Sequence, residues 1–303
     1  MRLYADAMQR IAYFGPQGTF TEQAALRFGS ELVPVDTIQL AIASVRKGET
    51  EFACVPIENS VEGAVPATLD ALVRDEPVVA VAETVLDVRF SVLVRPGTTE
   101  IRTIASHPHA LAQVREWIAD SLPGVTSIAT SSTAAAAAAV ERGEFDAAVT
   151  APVAVHHYEL DEYATNVLDV ADARTRFLLL RRPGALPEPT GADRTSVVVT
   201  TPNRVGVLSE LLTELALRGI NLTGLESRPT KGKLGEYRFY IDVEGHIAEP
   251  RIGDALAALH RHSREIRFLG SFPKADHEPV EAHNDEFAAA AAWVDAVRKG
   301  ERG

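Results

Sequence analysis

Short apolar runs alternate with helix-forming runs almost without interruption from Ile11 to Val149. No other feature constrains the fold as much, because strand–helix–strand order builds parallel sheets with helices on their faces. The first strand is Ile11–Phe14. The turn Gly15-Pro16-Gln17-Gly18 follows, and Thr19 with Glu22 three residues on forms a capping box that opens a helix through Phe28. Helix Ile38–Lys47, strand Phe52–Ile57, helix Pro66–Val73 and strand Val78–Leu86 continue the series. Strand Phe90–Val94 ends at Arg95-Pro96-Gly97, a turn signal. A second α/β set starts there, with strand Thr103–Ser106, helix Pro108–Ala119, strand Thr126–Ala129, helix Ser132–Arg142 and strand Ala147–Val149. The alanine run Ala134–Ala139 is a good helix former suited to close packing on a sheet. The chain returns in Thr175–Leu180, a continuous apolar strand, which closes a first domain over 11–183.

Arg181–Asp193 breaks the pattern with prolines and glycines among polar residues, the composition of a linker. A compact unit over 194–273 follows. It runs strand Thr195–Thr200, helix Val205–Arg218, strand Leu222–Ser227, hairpin Lys231-Gly232-Lys233, strand Tyr237–Val243, helix Arg251–Arg261 and strand Arg267–Leu269, a ferredoxin-like βαββαβ order. The tail 274–303 is acidic and then alanine-rich, with one terminal helix expected over Phe287–Val297.

Charge and cysteine usage narrow the function classes. The 303 residues carry 30 Lys and Arg against 42 Asp and Glu, a net charge of −12, which argues against a basic nucleic-acid-binding domain. The lone cysteine, Cys54, excludes an intramolecular disulfide framework and multi-cysteine zinc motifs; in an apolar strand it reads as a buried small hydrophobe. No apolar run approaches the ~18 residues of a membrane span. The first ten residues lack the apolar stretch of a signal peptide, so a cytoplasmic location with no membrane partner is expected. His156-His157 cannot both face one metal from a helix, and His260 and His262 are expected in solvent. Pro108 and Pro152 suit the first turns of helices.

In open α/β sheets ligands bind at the carboxyl ends of strands, where helix N-termini offer unpaired N–H groups. Four such junctions here carry small hydroxyl or amide residues: Gly18-Thr19-Phe20, Glu58-Asn59-Ser60, Ser106-His107-Pro108 and Ser131-Ser132-Thr133. Each alone is an ordinary helix cap. Together with Arg174-Thr175-Arg176 they describe a pocket for a small anion bearing a carboxylate or phosphate, without naming it.

The segments IAYFGPQGTFTEQAAL, ACVPIENSVEGAV, SHPHALAQ, STAAAA and ARTRF, in this order, resemble the prephenate dehydratase family. The stretch Thr195–Phe272, with LESRPTKGKLGEYRFYIDVEGH, resembles the ACT regulatory domain that this family carries. The resemblance covers residues 11–273, and a first strand at residue 11 suggests the monofunctional form. It implies a two-lobed, periplasmic-binding-protein-like (type 2) catalytic domain, with lobe 1 at about 11–95 plus 168–183 and lobe 2 at about 96–167, followed by the ACT domain. The implied reaction is decarboxylative dehydration of prephenate to phenylpyruvate in phenylalanine biosynthesis. It needs no cofactor and no metal, because aromatisation of the substrate supplies the driving force.

By the same resemblance Thr175 is the residue closest to the chemistry, with Asn59 and Gln113 beside it in the substrate pocket. Arg176 suits a two-pronged carboxylate clamp, and Ser132, Thr133, Ser106 and Thr19 offer hydroxyls to the substrate. Glu58 would repel a dianion and is expected to pair with an arginine instead. The effector-binding stretch E-S-R-P is intact as Glu226-Ser227-Arg228-Pro229, whereas the family's Pro-Gly-Ala-Leu is here Val205-Gly206-Val207-Leu208. Gly206 remains, where a backbone can approach closely. L-Phenylalanine is the expected effector, with Leu208 and Leu225 receiving its ring, in a homodimer or homotetramer joined through ACT domains. Arogenate as substrate and a catalytically inactive small-carboxylate sensor are the alternative readings.

Overall fold

The computed structural model describes residues 9–169, 173–230, 235–279 and 284–301. The hairpin expected at Lys231-Gly232-Lys233 lies outside them. Two compact units emerge, one formed by residues up to 71 with 84–180, the other by 72–83 with 181 onward. The segment 72–83, read from the sequence as part of the first domain, thus packs with the second.

The first unit begins with β1 (Ile11–Phe14), α1 (Phe20–Ala25), β2 (Leu32–Val35), α2 (Ile38–Lys47), β3 (Phe52–Asn59), β4 (Gly63–Ala64) and α3 (Pro66–Leu72). Strand β5 (Val79–Asp87) starts in the second unit and enters the first at Thr84. Strands β2, β1 and β3 lie side by side, with β1 parallel to both neighbours, as strand–helix alternation demands. Thr19 caps α1 by accepting the Glu22 N–H at 3.3 Å, and the Glu22 carboxylate reaches back to the Gly18 N–H at 2.6 Å, one residue short of the reciprocal capping box. Cys54 in β3 is fully buried, and burial pushes its thiol up.

The second lobe follows with β6 (Ser91–Val94), β7 (Thr103–Ser106), α4 (Pro108–Gln113), α5 (Arg115–Ser121), β8 (Thr126–Ala129), α6 (Thr133–Glu141), β9 (Ala147–Thr150), a 3₁₀ turn at Pro152–His156 and β10 (Asp161–Thr165). Its sheet has the order β10-β6-β9-β7-β8. It is mixed rather than all parallel, because β6 runs antiparallel to both β9 and β10. The alanine face of α6 packs on this sheet, with Ala136, Ala137 and Val140 against Leu93, Ala105 and Ala148. The single helix expected over Pro108–Ala119 is two, α4 and α5, broken at Val114. Strand β11 (Arg174–Arg181) returns to lie beside β3.

The second unit is the expected βαββαβ: β12 (Asp193–Thr201), α7 (Val207–Ala216), β13 (Leu222–Pro229), β14 (Tyr237–Glu244), α8 (Pro250–His262) and β15 (Glu265–Pro273), followed by α9 (Asn284–Arg298). Its strands lie in the order β13-β14-β12-β15, each antiparallel to the next. Leu211, Leu215, Ile252 and Leu259 from the helices bury against Val197, Val199 and Ile241 of the sheet. The segment 72–83 is tied in closely. Arg267 donates to the carbonyls of Leu72, Arg74 and Asp75, Glu83 pairs with Arg194 at 3.2 Å, and Gly270 of β15 pairs with Ala80. A Cβ at Gly270 would stand 2.3 Å from the Ala80 carbonyl oxygen, so only glycine fits there.

Candidate active site

Thr175 sits near the start of β11, next to the turn that ends β3. The Asn59 amide nitrogen donates to the Thr175 hydroxyl oxygen at 2.9 Å. The amide orientation follows from its other end, where the Asn59 carbonyl oxygen accepts the N–H groups of Val61 at 2.8 Å and Glu62 at 3.2 Å. With its oxygen already accepting from Asn59, the Thr175 hydroxyl keeps its proton for another acceptor. Ser60 closes the same corner: its hydroxyl accepts the Arg174 N–H and its own N–H donates to the Arg174 carbonyl, both at 2.8 Å.

Arg176, expected as a carboxylate clamp, is turned to Glu58. Its Nε and Nη2 stand 3.2 and 3.1 Å from one Glu58 oxygen, and its side chain is 14% exposed. The pairing expected for Glu58 is therefore present, and the substrate clamp is not a free guanidinium.

The opposing lobe brings α4, which carries His109 and Gln113 one turn apart on one face. His109 pairs with Glu62, the residue whose N–H fixes Asn59. The Gln113 carbonyl oxygen is buried with no hydrogen-bond partner among the described residues. His107 caps α4 by accepting the His109 N–H, and burial, helped by His109 and opposed by Glu62, pushes its ring down.

Ser132 caps α6 by accepting the Ala135 N–H at 2.9 Å, with Thr133 next in the helix. Ser131 and Ser132 line a cavity of about 700 Å³ together with the turn Gly15–Gln17 and with Val35 and Asp36. Thr19 stays close to this turn as the buried cap of α1. Ser106 is removed from the set of ligand contacts: it is fully buried and its hydroxyl donates to the Val149 carbonyl at 2.6 Å. Among the described residues no group of three or more His, Cys, Asp and Glu side chains forms a metal site. None of the helices there is long and apolar enough to cross a membrane.

Two contacts escape a reading of the sequence. His157, for which the sequence suggests no more than a surface or packing role, stands with Nε2 2.9 Å from the buried carboxylate of Glu22. Tyr13 is fully buried, and burial together with Glu22 pushes its hydroxyl up. The only local signal was the capping box, which already gave Glu22 a use.

In the second unit Gly206 has φ +81° and precedes α7 without a side-chain cap, and a Cβ there would stand 4.0 Å from a Glu210 carboxylate oxygen, an ordinary contact. Leu208 is half-buried, and Leu225 is 40% exposed. Arg228 pairs with Glu226 at 3.1 Å on one face of β13, whose Ser227 and Pro229 point to the other.

The family model for prephenate dehydratase matches residues 11–185, and that for the ACT domain matches 195–261. A prephenate dehydratase of Amycolatopsis methanolica is 64% identical over 304 residues, covering 97% of this chain and all of that one. The crystal structure of a prephenate dehydratase from Arthrobacter aurescens, in complex with L-Phe, superposes with a TM-score of 0.89 at 43% identity, covering 96% of this chain and 99% of that one. A structure described as GqqA, a novel type of quorum quenching acylase, superposes with a TM-score of 0.80 at 33% identity, covering 88% of this chain and 98% of that one.

Proposed function

Because the chain belongs to the prephenate dehydratase family, we propose that its own residues carry out the decarboxylative dehydration of prephenate to phenylpyruvate as follows. In this reaction the bond from the ring to its carboxylate breaks and CO₂ leaves. The electron pair moves through the ring as it becomes aromatic, and the ring hydroxyl departs with the electrons of its C–O bond. One proton turns that hydroxide into water. The enzyme has to orient a dianion and meet the departing oxygen with a hydrogen-bond donor.

The Asn59–Thr175 contact carries this reading. Asn59 supplies an N–H to the Thr175 oxygen, which favours the hydroxyl giving its hydrogen to the departing group. Gln113, on α4 of the other lobe, supports the reading with a buried carbonyl oxygen suited to a substrate hydroxyl. Ser132 and Thr133 at the start of α6 suit a carboxylate, where aligned backbone dipoles favour negative charge. Arg176 acts one step back, holding Glu58 and with it the end of β3 that presents Asn59.

The ACT domain makes this a feedback-regulated enzyme, with L-phenylalanine as its effector. Gly206, Leu208 and the Glu226–Pro229 segment are the proposed effector site, shared between ACT domains of a homodimer or homotetramer in the cytoplasm. The purified full chain incubated with prephenate should form an aromatic keto acid, with arogenate in a parallel reaction. No aromatic product from either overturns the reading, and product from arogenate alone changes the substrate.

A further inference from the structure

We propose that Glu22 and His157 are positioning residues for the dehydration: together they hold the glycine turn of the first lobe against the second and so fix one wall of the cavity. The inference rests on the proposed function above. Glu22 is a carboxylate with only 4% exposure, a costly burial for capping alone. One of its oxygens accepts the Gly18 N–H at 2.6 Å and faces His157 Nε2 at 2.9 Å. The His157 ring presents Nε2 to this carboxylate, which has no proton of its own to offer. Glu22 belongs to α1 in the first lobe, and His157 follows the 3₁₀ turn of the second.

The contact is reinforced on both sides. The Tyr158 hydroxyl donates to the Gln17 carbonyl at 3.1 Å. Gly18 has φ +85°, and a Cβ there would stand 3.0 Å from the Tyr158 ring and 3.2 Å from the Ala154 methyl. The glycine is thus required both for its backbone conformation and for the close approach of the lobes. Gly15, Pro16 and Gln17 of this turn line the same cavity as Ser131 and Ser132 of the second lobe. A ligand that touches both the turn and the start of α6 therefore meets a spacing set by the Glu22–His157 pair. Releasing the pair leaves Thr175 and Asn59 in place but makes ligand binding reposition the wall, a cost that falls on KM rather than kcat.

The test uses full-length His157→Ala and His157→Gln, because the glutamine amide restores an N–H near the position of Nε2. His157→Ala should raise KM for prephenate about tenfold with kcat within about twofold, and His157→Gln should return KM to within about threefold of the parent. Hydrogen exchange at the Gly18 amide should quicken in the alanine variant and slow again in the glutamine variant, a readout independent of activity. An unchanged KM with unchanged Gly18 exchange overturns the proposal. So does a glutamine variant as impaired as alanine, or a loss confined to thermal stability. A parent inactive on prephenate overturns the proposed function instead, and the exchange measurement then still judges the pair.

Discussion

A threonine hydroxyl is a weak acid, so its value in a reaction depends on where its proton points. Asn59 answers that at Thr175 by occupying the hydroxyl oxygen, while the amide is itself held by the N–H groups of Val61 and Glu62. Thr175→Ala should lower kcat by about 10²-fold or more, the scale of positioned proton donation, with a much smaller effect on KM; Thr175→Ser should keep a substantial part of the rate. Steady-state kinetics on both variants checks this, and an alanine variant within about threefold of the parent removes Thr175 from the chemistry. Thr175 and Asn59 stood out through the resemblance of their short motifs to the family, and an arginine partner for Glu58 was legible because a lone carboxylate beside a dianion is unfavourable. That the partner is Arg176 came from the structure. Ser106 was not legible in the same way: a hydroxyl at a strand end looks the same whether it faces a ligand or the Val149 carbonyl. His157 was missed because its partner is far away in the chain and already had a local role.

At the scale of elements, one carboxylate holds the second lobe's sheet in register at its entry. Asp146 accepts the N–H groups of Arg102 and Thr103 and the Thr103 hydroxyl at 2.9–3.0 Å, while its own N–H returns to that hydroxyl. Burial works to raise its carboxyl, but these hydrogen bonds with nearby Arg95 outweigh it and hold the group below the usual carboxylate value. A depressed carboxyl contributes stability that is present above the ordinary value of about 4 and fades as pH falls through the lower folded value. Asp146→Asn should therefore cost about 1–3 kcal/mol at neutral pH, and its gap to the parent should narrow as pH falls below the ordinary carboxylate value, as read by denaturant unfolding across pH. The elements that the sequence concealed have physical reasons too. Strand β2 contains Pro34 and pairs on one side only, so its pattern is weak. Strand β10 is mostly exposed at the edge of its sheet and carries charge rather than apolar alternation. The break between α4 and α5 is made by Asp169, whose two carboxylate oxygens accept the Glu116 and Trp117 N–H groups at 2.9 Å. No local residue announces that cap.

For the whole molecule, regulation requires that phenylalanine bind one arrangement of the protein better than another, since equal affinity shifts nothing. Gly206 sits at positive φ, and Gly206→Val imposes both a strained backbone and bulk. The variant should need at least about tenfold more phenylalanine for half inhibition, measured by titrating the effector during turnover, consistent with a coupling of about 1–3 kcal/mol. Equal sensitivity in both proteins would locate the effector elsewhere.

The excursion of residues 72–83 into the second unit changes what a cut in the chain can achieve. Arg267 grips three carbonyls of this segment, Ala80 pairs with Gly270, and Glu83 takes Arg194 and the Ala275 N–H. A protease that nicks the exposed connection around Gly184–Pro189 severs the covalent link downstream of the first unit, but the amino-terminal fragment still owns part of the other unit's interior. The two pieces should elute together from a sizing column in native buffer and part only in denaturant. Expressed alone, the amino-terminal piece would expose Val78, Val79 and Val81, which are at most 5% exposed in the intact chain, and should aggregate.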